Sequence, residues 1–151
     1  INDEFFLELS KRCNYLKFDQ FMHFSSEALQ KLYHDLSISL KPFRFVTREV
    51  DKESLKSFIT HIGIIDAGFY THSDRDIEMY YIKANEDRYC PTYHYYIFDG
   101  LMEIMYSFDD DDQNDIGKYF SLTVHETRES LVGAKYGLRR HEIRPMSMLR
   151  R

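Results

Sequence analysis

The prevailing spacing of apolar residues changes near Ile64, and that change limits the possible folds more than any other feature. Before Ile64 the apolar residues recur every three or four positions, as on one face of a helix. From Ile64 onward they alternate with polar residues, which is the pattern of a strand with one buried face. Amphipathic helices and a one-sided sheet each need a surface to cover them. The sequence therefore predicts helices in the N-terminal part of the chain and a sheet after them.

Three helices are predicted before Ile64, and the second and third begin at residues that commonly cap helices. Ser25 or Ser26 caps the second helix and Asp51 caps the third. Pro42 interrupts the helical pattern, and the residues after it are typical of a strand. Residues 15–24 have no clear period and are predicted to be a connector. The predicted helices are Asp3–Cys13, Ser26 to about Ser37, and Asp51–Gly63, with a strand at Phe43–Val46.

An antiparallel meander is predicted after Ile64. The dipeptide Asp99-Gly100 separates two alternating aromatic segments and favours a type I′ hairpin. Pairing about this turn places Ile97 opposite Met102, so that one face of the hairpin is apolar. The other face is expected to be half solvated or covered by a helix. The predicted strands are Ile64–Thr71, Ile77–Ala84, Tyr93–Phe98, Leu101–Phe108 and Lys118–Val124, and a last helix begins at Thr127.

These elements predict an α+β fold rather than a βαβ fold: N-terminal helices, an antiparallel β-meander of about four or five strands, and a C-terminal helix. No repeat or low-complexity linker divides the 151 residues, so we expect a single domain over 1–151 with a basic tail from about residue 139. Because the first residue is Ile1 rather than Met, we also expect a trimmed chain or a piece of a longer protein.

The net charge of -5 is unevenly distributed along the chain. Between Arg128 and Arg151 there are seven basic and two acidic residues, so the preceding part is strongly acidic. A mildly acidic protein lacks the positive field that a general nucleic-acid or anionic-membrane binder needs. Nucleic-acid contact is therefore predicted only for the basic tail, through Arg139, Arg140 and Arg144.

The two cysteines, Cys13 and Cys90, match neither a disulfide scaffold nor a zinc finger. A reducing compartment is the simpler interpretation, so a cytoplasmic or intracellular protein is predicted. The apolar runs are far shorter than the roughly 20 residues that cross a bilayer. Neither a membrane segment nor a cofactor is predicted.

The run Asp109–Asp115, called the acidic segment below, is the strongest candidate for a binding site. Its first four residues are aspartates, and a basic partner surface would relieve their mutual repulsion. The alternatives are a solvated loop screened by water and salt, and a Ca²⁺ or Mg²⁺ site. Tyrosines of the aromatic strands are a second candidate contact, with core packing as the alternative. The predicted partner-binding residues are Asp109, Asp110, Asp111, Asp112, Asp115 and Tyr96.

A second polar cluster, His72, Asp74 and Asp76, is followed by Glu78 and supplies the ligand types of a metal site. Its spacing matches no specific motif, and a solvated polar turn is the alternative.

Nucleophilic catalysis has no clear candidate in the sequence. Cys90 and His94 are four positions apart, which is about 13 Å along a strand and too far for a nucleophile and its base. Five other histidines are isolated in the sequence and are expected to be packed or surface residues: His23, His34, His61, His125 and His141. No serine-hydrolase elbow, P-loop or dinucleotide-binding glycine motif occurs.

The run from Tyr93 to Leu122 resembles the β-sandwich host-range proteins of poxviruses, whereas the helices predicted before Ile64 depart from that family. We predict a non-enzymatic protein-binding module, such as an inhibitor, an immunity protein or a virus–host interaction factor, that recognises a basic partner surface. The alternatives are a metal-dependent hydrolase or nuclease, and a structural subdomain of a larger viral or cellular protein.

Overall fold

Helices and strands account for most of the residues that the computed structural model describes, which are 2–19, 24–61, 77–83, 92–109, 116–138 and 144–145. The described helices are α1 (Asp3–Arg12), α2 (Ser26–Ser39), α3 (Lys52–His61) and α4 (Arg128–Leu138). The described strands are β1 (Tyr15–Phe18), β2 (Phe43–Asp51), β3 (Ile77–Lys83), β4 (Thr92–Asp99), β5 (Met102–Asp109), β6 (Ile116–Val124) and β7 (Arg144–Pro145). The predicted strand Ile64–Thr71 lies outside the described residues.

All of these strands belong to one sheet, in the order β1-β2-β6-β5-β4-β3-β7. Strands β3 to β6 pair antiparallel with their neighbours in sequence, so the predicted α+β fold with a four-stranded meander is confirmed. Beyond β6 the sheet continues with β2, which is antiparallel to β6, and then with β1, which is parallel to β2. β1, α2 and β2 therefore form a βαβ unit, and the prediction of a purely antiparallel meander is wrong at this edge.

β1 also corrects the prediction that residues 15–24 form a connector. Tyr15–Phe18 pair with Arg44–Thr47 of β2. A strand of four residues is too short to show a clear alternation of apolar and polar positions. Its parallel partner, β2, is also separated from it by the helix α2, so no turn signal in the sequence indicates the pairing.

The hairpin of β4 and β5 is paired two residues away from the predicted register. Asp99 pairs with Met102, so the two-residue turn is Gly100-Leu101 rather than Asp99-Gly100. Gly100 has a φ of 60°, and Leu101 is not among the described residues with positive φ, which fits a type II′ turn rather than type I′. Asp99 instead continues the strand, where its carboxylate accepts a hydrogen bond from the Tyr33 hydroxyl. A shift of two residues leaves every side chain on its predicted face.

Helices α1, α2 and α3 cover one face of the sheet and bury its apolar residues. Phe6 of α1 and Phe58 of α3 are fully buried. Their ring centres lie 5.1 Å from Phe45 of β2 and 5.9 Å from Phe120 of β6, respectively. Burying a ring of this size contributes about 1.5–3 kcal/mol. The three helices thus hold β2 and β6 in the middle of one core.

Helix α4 lies over part of the opposite side of the sheet, called the second face below, which carries His94, Tyr96 and Phe98. Leu131 of α4 is buried, and the Nζ of Lys135 lies 5.2 Å from the centre of the Phe98 ring. Phe98 is buried, whereas Tyr96 and His94 are only partly buried. The expectation of a face that is half solvated or covered by a helix is confirmed.

Candidate functional site

The acidic segment connects two neighbouring strands in the middle of the sheet. Its first residue, Asp109, ends β5 and pairs with Thr92 at the start of β4. The residue after the segment, Ile116, begins β6 and pairs with Asp51 at the end of β2. The segment therefore leaves and re-enters the sheet at the end where β2 stops and β4 starts. The other predicted binding residues of the segment lie outside the described residues: Asp110, Asp111, Asp112 and Asp115.

Asp51 lies at this end of the sheet, and further acidic residues occur in a stretch that connects strands there. Asp51 caps α3, because its Oδ1 accepts the N–H of Glu53 at 3.1 Å and its Oδ2 accepts the hydroxyl of Ser54 at 3.1 Å. Residues 84–91, which connect the end of β3 to the start of β4 at the same end, include Glu86 and Asp87. Stretches 51–53, 84–91 and 109–115 together contain nine acidic and two basic residues. Their acidic residues are called the acidic end below: Asp51, Glu53, Glu86, Asp87, Asp109, Asp110, Asp111, Asp112 and Asp115.

The opposite end of the sheet, where β2 begins, carries several basic side chains. The Nζ of Lys41 donates to carbonyl oxygens at the end of α1 at 3.1–3.2 Å. The guanidinium of Arg44 lies over the ring of Tyr15, 5.9 Å from its centre. Lys11 and Arg12 are exposed in the last turn of α1. These described basic side chains therefore lie near the end of the sheet opposite Asp51 and Asp109.

Tyr96, the remaining predicted partner-binding residue, lies on the second face, where it is partly buried. Burial raises the pKa of its hydroxyl, and the negative charge of Glu103 and the neighbouring Tyr119 raise it further. Tyr96 is four positions from Thr92, about 13 Å along β4 at the usual rise of a strand. The structure therefore does not bring Tyr96 together with Asp109.

Three polar side chains that sequence reasoning missed form a hydrogen-bonded chain beside the second face. Oε1 of Glu103 lies 2.8 Å from Nε2 of His125, and Nδ1 of His125 lies 3.1 Å from Oγ of Ser130. Glu103, on β5, pairs with Thr123 of β6, two residues before His125. Ser130 is in the first turn of α4. The only local signal in the sequence is a His and a Ser five positions apart around Thr127, because the contact with Glu103 depends on strand pairing.

The predicted metal ligands and most of the basic tail lie outside the described residues. Within the described part of the chain, no group of three or more His, Cys, Asp or Glu residues is arranged to hold a metal ion. Arg144 lies in β7 and pairs with Tyr81 of β3, so this part of the basic tail forms an edge of the sheet. The other predicted residues lie outside the described residues: His72, Asp74, Asp76, Arg139 and Arg140.

Comparisons with protein-family models, with curated proteins and with solved structures found no match. Across the described ranges, no helix has the length and apolar character that crossing a membrane requires. Any functional argument for this chain therefore starts from its own residues.

Proposed function

We propose that this chain is a protein-binding module whose acidic end recognises a basic surface on a partner protein. The observation that carries this proposal is the strand register, in which Asp51 pairs with Ile116 and Thr92 pairs with Asp109. Asp51 and Asp109 consequently lie at one end of the sheet, and the acidic stretches 84–91 and 110–115 connect strands that end or begin there. Such a concentration of one charge sign attracts a partner of the opposite sign and speeds its association.

The strands next to the acidic end support a role in binding because they are firmly anchored. Phe45 of β2, Ile104 of β5 and Phe120 of β6 are almost completely buried in the core. Segments that are held by a rigid scaffold are common binding sites. An inhibitor, an immunity protein or a virus–host interaction factor would use a surface of this kind. A cytoplasmic or intracellular setting is part of the proposal and rests on the two widely spaced cysteines.

The proposal is tested by capturing partners from the native source with the wild-type chain and identifying them by mass spectrometry. A captured protein is then purified, and its affinity is measured by calorimetry. One variant replaces the four aspartates from Asp109 to Asp112 with Asn. A control variant replaces four exposed glutamates away from the acidic end with Gln and changes the net charge equally: Glu4, Glu8, Glu27 and Glu126.

We expect the aspartate variant to bind at least about tenfold more weakly, which corresponds to about 1.4 kcal/mol. The control variant should bind nearly as tightly as the wild type. The wild-type affinity should also fall as salt is raised, because exposed charges are screened beyond about 8 Å at physiological ionic strength. Equal weakening by both variants would mean that net charge alone matters, and unchanged binding by the aspartate variant would refute the proposal.

A measurement of the melting temperature with and without divalent cations distinguishes the binding module from the alternative, a metal-dependent hydrolase or nuclease. A divalent cation that raises the melting temperature of the wild type, but not that of an Asp74→Ala variant, would favour the metal site at His72, Asp74 and Asp76. A melting temperature that does not respond to divalent cations would leave the binding module as the better account.

A further inference from the structure

The chain of hydrogen bonds from Glu103 through His125 to Ser130 has a defined direction. A carboxylate only accepts hydrogen bonds, so Nε2 of His125 carries a hydrogen and donates it to Oε1 of Glu103 at 2.8 Å. In the neutral ring, Nδ1 then has a free lone pair, which accepts the Ser130 hydroxyl at 3.1 Å. A base held in one tautomer by a carboxylate and bonded to a serine hydroxyl is the arrangement that activates serine nucleophiles.

The histidine and the carboxylate are sheltered, whereas the serine is open to solvent. The side chains of His125 and Glu103 are 11% and 19% exposed, and Ser130 is exposed. The backbone N–H of His125 donates to the carbonyl of Leu101 at 2.8 Å, which fixes the start of this segment. The base is thus held in place while its serine remains accessible to a reactant.

The start of α4 adds hydrogen-bond donors next to the serine. The first N–H groups of a helix have no carbonyl partner within the helix, and the helix dipole favours negative charge there. Thr127 Oγ1 accepts the N–H of Ser130 at 3.0 Å, and Arg128 and Glu129 supply the preceding N–H groups of this first turn. Donors of this kind stabilise the oxyanion that forms when a serine attacks a carbonyl carbon.

We propose that Ser130 is a nucleophile for acyl transfer from small activated esters, with His125 as its base and Glu103 as the positioning residue. Ser130 Oγ bonds to the carbonyl carbon of the ester while its proton moves to Nδ1 of His125. The bond to the leaving alcohol breaks, and the alcohol takes up that proton. Water then attacks the acyl-serine with the help of His125, which releases a carboxylic acid and restores the hydroxyl.

The exposure of Ser130 determines the class of substrate. A serine on an open surface can be reached by an ester whose leaving group needs no enclosing pocket. Small aryl esters fit this requirement because their leaving groups depart readily. The proposed esterase activity does not depend on binding at the acidic end, so a failure of one proposal leaves the other standing.

The test uses the full chain with p-nitrophenyl acetate, whose hydrolysis releases a coloured phenolate, and with a fluorophosphonate probe, whose adduct is located by mass spectrometry. We expect the adduct on Ser130. A Ser130→Ala variant should lose the adduct and at least about 100-fold of the esterase rate, because it removes the nucleophile. A Ser57→Ala variant, which changes another exposed helical serine, is the matched control and should behave as the wild type.

Two further variants separate a chemical role from a structural one. His125→Gln and Glu103→Gln should lower kcat with little change in KM, and their melting temperatures identify any loss of folding. A Ser130 adduct no more abundant than that on Ser57 would overturn the proposal. So would a Ser130→Ala variant that hydrolyses the ester as fast as the wild type.

Discussion

The ammonium group of Lys41 lies where the C-terminal carbonyl oxygens of α1 lack partners within the helix. Its Nζ is 3.2 Å from the oxygens of Ser10 and Lys11 and 3.1 Å from that of Cys13. A cation at this position satisfies these oxygens and complements the negative end of the helix dipole. One side chain therefore joins the end of α1 to the residues that precede β2.

Replacing Lys41 by Met should therefore destabilise the protein. We expect a loss of about 1–2 kcal/mol in the free energy of unfolding, since the contacts involve a charged donor but are partly solvated. Urea denaturation measures this loss. A Lys56→Met variant, which changes an exposed lysine of α3, should change stability by less than about 0.5 kcal/mol. Equal effects of the two substitutions would contradict the assigned role of Lys41.

The partial burial of His94 on the second face should make the stability of the protein depend on pH. Burial lowers the pKa of the His94 imidazole below its ordinary value of 6.5. As the pH falls through 6.5, the unfolded chain therefore binds a proton before the folded one does, and stability is lost until the folded His94 also becomes protonated. A His94→Gln variant should lose less stability than the wild type between pH 7 and pH 5 in urea titrations. A His34→Gln variant, altered at an exposed histidine of α2, should follow the wild type.

Single residues were predictable from the sequence where their partners are close in the chain. Asp51 was predicted as a cap and Ser25 was one of two candidates, and both accept backbone N–H groups of the helices that they cap. Glu103 and His125 were not connected, because they meet only through the pairing of β5 with β6. The acidic segment was recognised from its composition, whereas its neighbours at the acidic end became apparent only from the strand register.

At the scale of the elements, two glycines, one in the turn between β4 and β5 and one in α4, are expected to affect stability in opposite directions when replaced by Ala. Gly100 has a φ of 60°, a backbone conformation that raises the energy of an L residue by roughly 1–2 kcal/mol. This cost is conformational, because an added Cβ would meet nothing within 4 Å. Gly133, in the exposed part of α4, has equally open space but helical geometry. Gly100→Ala should therefore destabilise the protein by about 1–2 kcal/mol, while Gly133→Ala should stabilise it by about 0.5–1 kcal/mol. Urea denaturation of both variants measures the two shifts, and a shift of the same sign in both would contradict the turn assignment.

Helices and strands whose apolar residues recur at a regular spacing were predicted from the sequence. The strand β1, which forms through its pairing with β2, was not. The stripe of α2 and the alternation in β4 and β5 identify a buried face from sequence alone. The two-residue error in the hairpin register arose because Asp99-Gly100 is a common turn dipeptide, while here the contact of Asp99 with Tyr33 favours a turn one residue later. Both registers keep the same faces, so apolar patterning could not distinguish them.

For the whole molecule, the order of helices and strands predicted the α+β class, but not how the two parts of the sheet are joined. β2 lies between β1 and β6, and its pairing with β6 links the N-terminal βαβ unit to the meander. Turns and periodicity describe neighbours in sequence, whereas this pairing depends on which faces must be buried together. The same pairing brings Asp51, at the end of β2, next to Ile116, which follows the acidic segment.

The pairing of β2 with β6 also has a consequence during synthesis. Phe43 pairs with Val124 and Asp51 with Ile116, so one edge of β2 lacks its native partner until residues 116–124 have left the ribosome. An open strand edge is a template for pairing with other chains. The nascent chain is therefore exposed to aggregation through β2 in this interval, and a chaperone that covers β2 would protect it until β6 is made.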